Sequence, residues 1–216
     1  MPTCCGADAY AKLFDEKNAK KDLRRYLKSG LDATGRRIVD AIINRGVVGT
    51  TVLEVGGGIG AIQVELLRAG ALRATNVEIV DTYESEARHL LETVGLAERV
   101  DRKVLDFAES GPEIAGADVV VLHRVICCYP DMEALVRAAT THAGRLLALS
   151  FPPDRWWWRI GARLATAWFQ IRGCGFRIYT HDPRRILAAA ASAGFRPVLE
   201  HRGLTWQVAV LERSAS

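Results

Sequence analysis

The residues with the clearest chemical potential in this sequence are an acid and four glycines that follow a short apolar run. Glu54 stands two residues before the first of them, and the glycines are Gly56, Gly57, Gly58 and Gly60. Glycine lets the backbone approach a ligand closely and adopts positive φ, so this pattern is typical of a turn that holds a nucleotide-like ligand. A tight turn without a ligand would contain the same residue types.

Two later apolar runs also lead into acids. Glu78 lies near the end of the run 74–80 with Asp81 directly after it, and Asp106 and Phe107 follow the next run. A carboxylate is a natural acceptor for two adjacent hydroxyl groups, such as those of a ribose. Glu78 is the preferred residue for that contact and Asp81 is the alternative. A surface acid at the end of a strand is a third interpretation.

A histidine, an arginine and a tyrosine follow the apolar run 117–122. They are His123, Arg124 and Tyr129. His123 or Tyr129 could accept a proton from a hydroxyl or an amine, and Arg124 could hold a carboxylate. A single histidine at the end of a strand is more often a hydrogen-bonded residue of the scaffold, so the catalytic and structural interpretations both stand.

The cysteines are distributed as two adjacent pairs and a single residue. They are Cys4, Cys5, Cys127, Cys128 and Cys174. Because no C-x-x-C spacing occurs, the sequence predicts neither a zinc site nor a disulfide framework, and a reducing cytoplasm fits better. Thiols are soft ligands, so chemistry on a metalloid or a thiol is an alternative, and simple packing is another.

The elements that would position these residues alternate between strands and helices. Strands are predicted at 52–55, 74–80, 99–105, 117–122, 145–150, 195–200 and 204–211. Helices are predicted at 11–27, 33–44, 60–68, 83–94, 132–141, 155–172 and 183–193. This alternation predicts an α/β fold with a doubly wound, mostly parallel sheet, whose ligands lie outside the carboxyl ends of the strands. The last two strands predict an antiparallel hairpin.

The helix predicted at 155–172 has an unusual distribution of side chains. One face carries large apolar residues, namely Trp157, Ile160, Leu164, Trp168 and Ile171. The opposite face carries three arginines, and Asp154 is expected to cap the first turn. This pattern suits a lid over an apolar substrate, a helix on an anionic membrane surface, or an insertion packed against the sheet edge.

The overall composition fits one soluble domain. The chain has 216 residues, 49% of them apolar and 25% charged, with a net charge of +4. These values do not indicate a nucleic-acid-binding protein, although the segment 155–185 is locally basic. No apolar run is long enough to span a membrane and the N-terminus has no signal-peptide pattern, so a cytoplasmic protein is expected. Nothing in the sequence indicates an oligomeric state.

The acid and glycine motif, the later acids and the closing hairpin together resemble class I S-adenosylmethionine-dependent methyltransferases. The resemblance implies a Rossmann-like sheet of seven strands, mostly parallel with an antiparallel C-terminal hairpin strand. It also implies S-adenosylmethionine as the cofactor. The residues that it assigns to the cofactor are Glu54, Gly56, Gly57, Gly58, Gly60, Glu78, Ile79, Asp106, Phe107 and His123.

The same resemblance treats 1–216 as a single domain, with a helical cap at 1–45 and a core at 46–216 that carries a lid-like insertion at 152–180. The residues expected to contact a small-molecule acceptor are Tyr10, Tyr26, Arg124, Trp157 and Trp168. His123 and Tyr129 are the expected catalytic residues, and no metal is expected. The expected acceptor is apolar with a carboxylate or hydroxyl end. Metalloid or thiol methylation, and a non-catalytic membrane-surface module, are the alternatives.

Residues 120–213 are also similar to magnesium-protoporphyrin O-methyltransferases. The shared positions are Tyr129-Pro130, Leu149-Ser150-Phe151-Pro152, Tyr179-x-His181, Gly194-Phe195 and Gly203-Leu204-Thr205-x-Gln207. The sequence differs from those enzymes at Cys128, where they tend to have histidine.

Overall fold

One mixed sheet of seven strands organises the computed structural model, which describes residues 7–109 and 113–214. The strands are β1 (Thr51–Val55), β2 (Arg73–Glu78), β3 (Val100–Val104), β4 (Ala117–His123), β5 (Ala143–Phe151), β6 (Phe195–Arg202) and β7 (Gln207–Arg213). Their order across the sheet is β3-β2-β1-β4-β5-β7-β6. Strands β1 to β5 pair in parallel, whereas β7 runs antiparallel to both β5 and β6. The predicted sheet and closing hairpin are therefore confirmed.

Eight α-helices connect or precede the strands within the described ranges. They are α1 (Ala7–Leu13), α2 (Glu16–Ser29), α3 (Ala33–Ile43), α4 (Ala61–Arg68), α5 (Glu84–Thr93), α6 (Met132–His142), α7 (Trp156–Ile171) and α8 (Pro183–Ser192). Short 3-10 turns occur at Ala97–Arg99 and Ile126–Cys128. Among the described residues, no helix has the length and apolar character needed to cross a bilayer.

The two faces of the sheet are covered by different helices. Because side chains alternate along a strand, β1 directs Val52 to one face and Leu53 and Val55 to the other. The first face packs against α2, α3, α4 and α5, and the second packs against α6 and α8. Both layers are continuous apolar cores, so the strand ends that carry the candidate site are held rigidly.

The prediction of one continuous helix at 11–27 is wrong, because the structure has two helices there, α1 and α2. The chain bends at Phe14 and Asp15, between α1 and α2. The carboxylate of Asp15 accepts a hydrogen bond from the backbone N–H of Asn18 at 2.8 Å, which caps the N-terminus of α2. An aspartate that can satisfy a free backbone N–H favours a helix start over a helix interior.

Among the later helices, the predicted capping of α7 by Asp154 is wrong. Asp131 and Asp182 cap α6 and α8 by accepting backbone N–H groups. Asp154 does not cap α7, since Arg159 donates to both of its carboxylate oxygens, at 2.6 and 2.9 Å. The helix begins after Arg155, whose side chain makes no capping hydrogen bond. The carboxylate of Asp154 therefore pairs with the side chain of Arg159, in the first turn of α7, and does not accept a free backbone N–H.

Candidate active site

Four strand ends meet at one edge of the sheet. Because β3, β2, β1 and β4 are consecutive neighbours and parallel, the residues that follow them line a single crevice. The glycine turn follows β1, Glu78 ends β2, Asp106 follows β3, and His123 ends β4. The structure therefore brings together the acids, glycines and histidine that the sequence assigned to the cofactor.

The glycine turn is closed so tightly that side chains are excluded from it. Gly56 has φ +65, and a Cβ there would lie 2.5 Å from a methyl group of Val125. A Cβ on Gly57 would lie 2.3 Å from the side-chain nitrogen of Asn76 and 2.6 Å from the carboxyl carbon of Glu54. Both positions require glycine, since no L side chain fits without moving these neighbours.

The side chains of Glu78 and Arg102 both form hydrogen bonds with the backbone of Gly58 in the glycine turn. The carboxylate of Glu78 accepts the backbone N–H of Gly58. Arg102 donates to the carbonyl oxygen of Gly58 at 3.0 Å and to the carboxylate of Glu84 at 2.7 Å. Arg102 could not be predicted from the sequence, because its position next to the turn follows from the pairing of β2 with β3 and not from any local motif.

Two buried acids lie side by side under the turn. Burial raises the pKa of Glu54 to about 8, and the charge of Glu78 adds to the shift. Burial also raises the pKa of Glu78 to about 7, with a further contribution from Glu84. Hydrogen bonds from backbone N–H groups and the charge of Arg102 act in the opposite direction on both acids. Glu78 is therefore a carboxyl group that titrates near neutral pH at the centre of the crevice.

Two adjoining cavities meet at Glu78. The larger has a volume of about 260 Å³ and the smaller about 60 Å³. The residues that line both are Tyr10, Gly56, Glu78, Ile79, Val125 and Cys128. The larger cavity continues along the glycine turn to His123 and Arg124, and the smaller one continues to Asp106 and Phe107.

The smaller cavity has a largely apolar wall with two acids, Glu78 and Asp106. The hydroxyl of Tyr129 lies 3.1 and 3.2 Å from the two carboxylate oxygens of Asp106, and Ala108 donates its N–H to the same group at 3.0 Å. Phe107 packs its ring 5.2 Å from that of His142. Tyr129, expected to be catalytic, lines this cavity and is not among the residues that line the larger one.

His123 lies in the larger cavity and is held by Ser150. The Oγ atom of Ser150 is 2.9 Å from Nδ1 of His123 and also accepts the backbone N–H of Arg124 at 2.9 Å. Burial, and next the charge of Arg124, lower the pKa of His123 to about 4, against the opposing effect of Asp32. His123 is therefore neutral at pH 7.

Arg124 adopts an unusual backbone conformation at the mouth of the larger cavity. Its φ of +62 is the one positive value among the described non-glycine residues. Its guanidinium pairs with the carboxylate of Asp32 and lies 4.9 Å from the ring centroid of Trp206. Backbone strain of this kind persists where the surroundings fix it, often at functional sites. Asp32 was not singled out in the sequence, since 92 residues separate it from Arg124.

The two cap tyrosines assigned to the acceptor both line the larger cavity. Tyr10 donates its hydroxyl to the carbonyl oxygen of Cys128 at 2.6 Å. Tyr26 donates its hydroxyl to the carboxylate of Glu65. Each ring therefore faces the cavity while its hydroxyl is engaged by the protein, so these residues offer apolar surface to a ligand.

The two tryptophans assigned to the acceptor line neither cavity. Trp168 is mostly exposed, and Arg172 stacks over it at 4.4 Å. Trp157 packs edge-on against Trp158, with ring centroids 6.4 Å apart. Contact of Trp157 and Trp168 with an acceptor therefore remains a prediction.

The cysteine pairs are only partly within the described structure. Cys127 and Cys128 place their sulfur atoms 3.8 Å apart, and Cys174 donates to the carbonyl oxygen of Ala9. Cys4 and Cys5 lie outside the described residues. In residues 7–109 and 113–214, no group of three His, Cys, Asp or Glu side chains is arranged to hold a metal ion.

Comparison with known proteins gives a match of fold and not of sequence. Neither a protein-family model nor a curated protein matches the chain. The structure matches magnesium protoporphyrin IX methyltransferase from Synechocystis PCC 6803, solved with bound SAH, at a TM-score of 0.72 and 19% identity. That match covers 95% of this chain and 98% of the other. It also matches mitomycin 7-O-methyltransferase at a TM-score of 0.62 and 20% identity, over 88% of this chain and 57% of the other.

A third match shows that similarity of fold does not establish the activity of this protein. The cyclase SpnF has a TM-score of 0.61 and 16% identity, over 83% of this chain and 81% of the other. The resemblance to class I methyltransferases is therefore confirmed for the fold. A protein named as a cyclase shares this fold, so the activity of this chain has to be argued from its own site.

Proposed function

We propose that the protein transfers the methyl group of S-adenosylmethionine to a small apolar acceptor with an oxygen end. The observation that carries the proposal is the junction of two cavities at the buried carboxylate of Glu78. One cavity is small and is lined mainly by apolar residues, together with Asp106. The other is larger and reaches His123 and Arg124. A nucleoside joined to a second reactant needs such a pair of compartments.

The residues present fit the cofactor. Glu78 would accept hydrogen bonds from the two ribose hydroxyls, because this residue lines both cavities and carries a carboxylate. Asp106 and Phe107 would hold the adenine, and the backbone of the turn from Gly56 to Gly60 would run along the amino-acid part, next to Glu54. When bound, the cofactor supplies a methyl group that its positive sulfonium has already activated.

The chain itself then has to position the acceptor and exclude water. A carboxylate acceptor is ionised at pH 7 and needs no base, and Arg124 could hold it by exchanging its present partner Asp32. A hydroxyl acceptor would need a base. His123 is a weak one, because its pKa of about 4 lies well below neutral pH. Tyr129 is engaged by Asp106. These facts favour a carboxylate over a hydroxyl.

The test has a binding arm and a product arm. Calorimetry should show binding of S-adenosylmethionine and S-adenosylhomocysteine, and none of NAD or ATP at the same concentrations. Cofactor labelled in the methyl group, incubated with the protein and a cell extract, should give a labelled small molecule that mass spectrometry can identify. Alkali should release the label as methanol if the product is a methyl ester. An alkali-stable product would show that a hydroxyl, amine or thiol is the acceptor.

Methylation of a thiol or a metalloid is a second candidate, favoured by one observation. Cys128 lines both cavities and its sulfur lies 3.8 Å from that of the buried Cys127, so one soft ligand borders the crevice and a second lies next to it. Cys174 bonds to a different part of the chain, at Ala9. Replacing Cys127 and Cys128 by serine should abolish labelling under this candidate and spare it under the carboxylate proposal. Metal and metalloid content after purification provides a second measurement.

A further inference from the structure

One face of α7 exposes large apolar side chains to solvent along its whole length. The residues and their exposed fractions are Trp156 73%, Ile160 48%, Leu164 67%, Trp168 54% and Ile171 81%. They recur at steps of four, four, four and three residues, so they form one stripe. We call these five residues the outer face of α7. Exposed apolar side chains are ordinary when scattered, but a contiguous stripe of this size marks a binding surface.

The opposite side of the helix already has its partners. Ala162 is buried, and Trp158 and Phe169 are partly covered by the rest of the protein. Trp158 packs against Trp206 with ring centroids 5.9 Å apart, and Phe169 packs against Phe176 at the same separation. One side of α7 is therefore packed against the rest of the protein, and the outer face on the other side is exposed to solvent.

Basic residues border the outer face. Arg155, Arg159 and Arg163 lie along one side of it, and Arg172 stacks over Trp168 at its C-terminal end. The segment 155–185 has seven arginines and a single acid, Asp182. Long cationic side chains beside tryptophan and leucine are the arrangement of a helix that lies in the plane of a membrane interface.

We propose that the outer face of α7 binds the surface of a bilayer that contains anionic lipids. Its aliphatic side chains would enter the acyl boundary and its tryptophans would lie at the level of the headgroups. The bordering Arg155, Arg163 and Arg172 would pair with lipid phosphates, whereas Arg159 already pairs with Asp154. A second copy of the chain is the competing occupant. It is disfavoured, because a symmetric contact through this face would bring the arginines of both copies together.

The inward side of α7 is connected to the candidate active site at two points. At its start, Trp158 contacts Trp206, over which Arg124 of the larger cavity stacks at 4.9 Å. At its end, Phe176 lies between Phe169 and Tyr10, with ring centroids 5.9 and 5.5 Å away. A bilayer on the outer face would therefore be separated from the wall of the larger cavity by α7 and the side chains packed beneath it, and an apolar acceptor from the lipid would have to pass this helix. The binding proposal itself does not depend on the proposed methyl transfer.

Vesicle sedimentation tests the proposal without any acceptor or cofactor. The full chain should sediment with vesicles of phosphatidylcholine and phosphatidylglycerol in equal amounts, and less with phosphatidylcholine alone. The double variant Leu164→Gln/Trp168→Gln should bind at least about tenfold more weakly, because the contacts of Leu164 with the acyl boundary and of Trp168 with the headgroup level are lost. Arg163→Glu should weaken binding to the anionic vesicles selectively. Val48→Gln is the control, since Val48 is 80% exposed but lies away from α7.

The outcomes separate the two occupants. Circular dichroism and the thermal midpoint should be unchanged in every variant, because the replaced side chains face solvent. Unchanged vesicle binding by the folded double variant would overturn the proposal. So would a wild-type chain that ignores the vesicles but forms a dimer in analytical ultracentrifugation that the double variant loses, because a second copy would then cover the outer face.

Discussion

Tyr129 donates its hydroxyl to Asp106, at 3.1 and 3.2 Å from the two carboxylate oxygens. From the sequence, Asp106 is expected to contact the cofactor and Tyr129 to act as a base. Both residues line the smaller cavity, and there the hydroxyl of Tyr129 is hydrogen-bonded to the carboxylate of Asp106. Burial, and next the charge of Asp106, raise the pKa of Tyr129 above its ordinary value, so the phenol keeps its proton.

Removal of the Tyr129 hydroxyl should therefore have little effect on methyl transfer. In Tyr129→Phe, the rate of product labelling at saturating cofactor should stay within about threefold of the wild type. A general base would contribute about a hundredfold or more, so a loss of that size would restore the catalytic assignment. Cofactor calorimetry on the same variant should report only a modest change, because Asp106 is freed to accept from the adenine.

Glu78 should contribute more to cofactor binding than any other side chain in the crevice. Glu78→Gln keeps the size of the side chain but removes the charge that strengthens its hydrogen bonds to the ribose. Calorimetry should show affinity lower by about tenfold or more, which corresponds to about 1.4 kcal/mol. The matched control is Asp81→Asn, three residues further on and exposed, which should bind normally. If Asp81→Asn weakens binding and Glu78→Gln does not, the ribose contact belongs to Asp81.

Binding of the nucleoside part should depend on pH because of Glu78. The ionised carboxylate is the better acceptor, and burial raises its pKa to about 7 in the free protein. The ionised fraction rises from about a tenth at pH 6 to about nine-tenths at pH 8, so affinity should rise about tenfold over that range. 5′-Methylthioadenosine is the probe, because it has the ribose but no titrating amino acid. Glu78→Gln should lose most of this dependence, and an affinity that falls with rising pH would contradict the assignment.

The glycine turn and the strand-end acids could be predicted because their signals are local. Glu54 and Gly56 lie within one short stretch, and the spacing to Glu78 follows from the length of a helix and a strand. Arg102 and Asp32 could not be predicted, because the contacts that give them a role depend on strand pairing and on where α3 begins. Local patterns report the backbone conformation, whereas such partners are decided by packing.

For α7, the sequence predicted the helix but not which of its faces packs against the protein. Its amphipathic pattern predicted the helix, and α7 spans Trp156–Ile171. Periodicity identifies which residues share a face but not which face meets the protein, because two stripes of this helix are apolar. Ala162 and Phe169 turned out to pack inward, and Leu164 and Trp168 outward. Only the position of the neighbouring strands and loops decides between the two.

Gly56 should be intolerant of any side chain. Gly56→Ala adds strain at φ +65 and a contact of 2.5 Å with Val125, so the thermal midpoint should fall and cofactor binding should weaken. Gly95 is the matched control, because its φ is +69 and nothing lies within 4 Å of the added Cβ. Gly95→Ala should show the conformational strain alone. Adding Val125→Ala to Gly56→Ala should recover part of the loss, and no recovery would show that the clash is not the cause.

Arg124 provides the sharpest test of a carboxylate acceptor. Its guanidinium now pairs with Asp32, and it is the cation that the proposal assigns to the acceptor. Arg124→Gln should reduce formation of the alkali-labile product by about tenfold or more at low acceptor concentration, because a charge-assisted pair is lost. Cofactor affinity should stay nearly unchanged, which separates an acceptor defect from a collapsed crevice. Arg88→Gln, an exposed arginine on α5, is the control and should behave as the wild type. An Arg124→Gln variant with normal labelling would show that another group holds the acceptor.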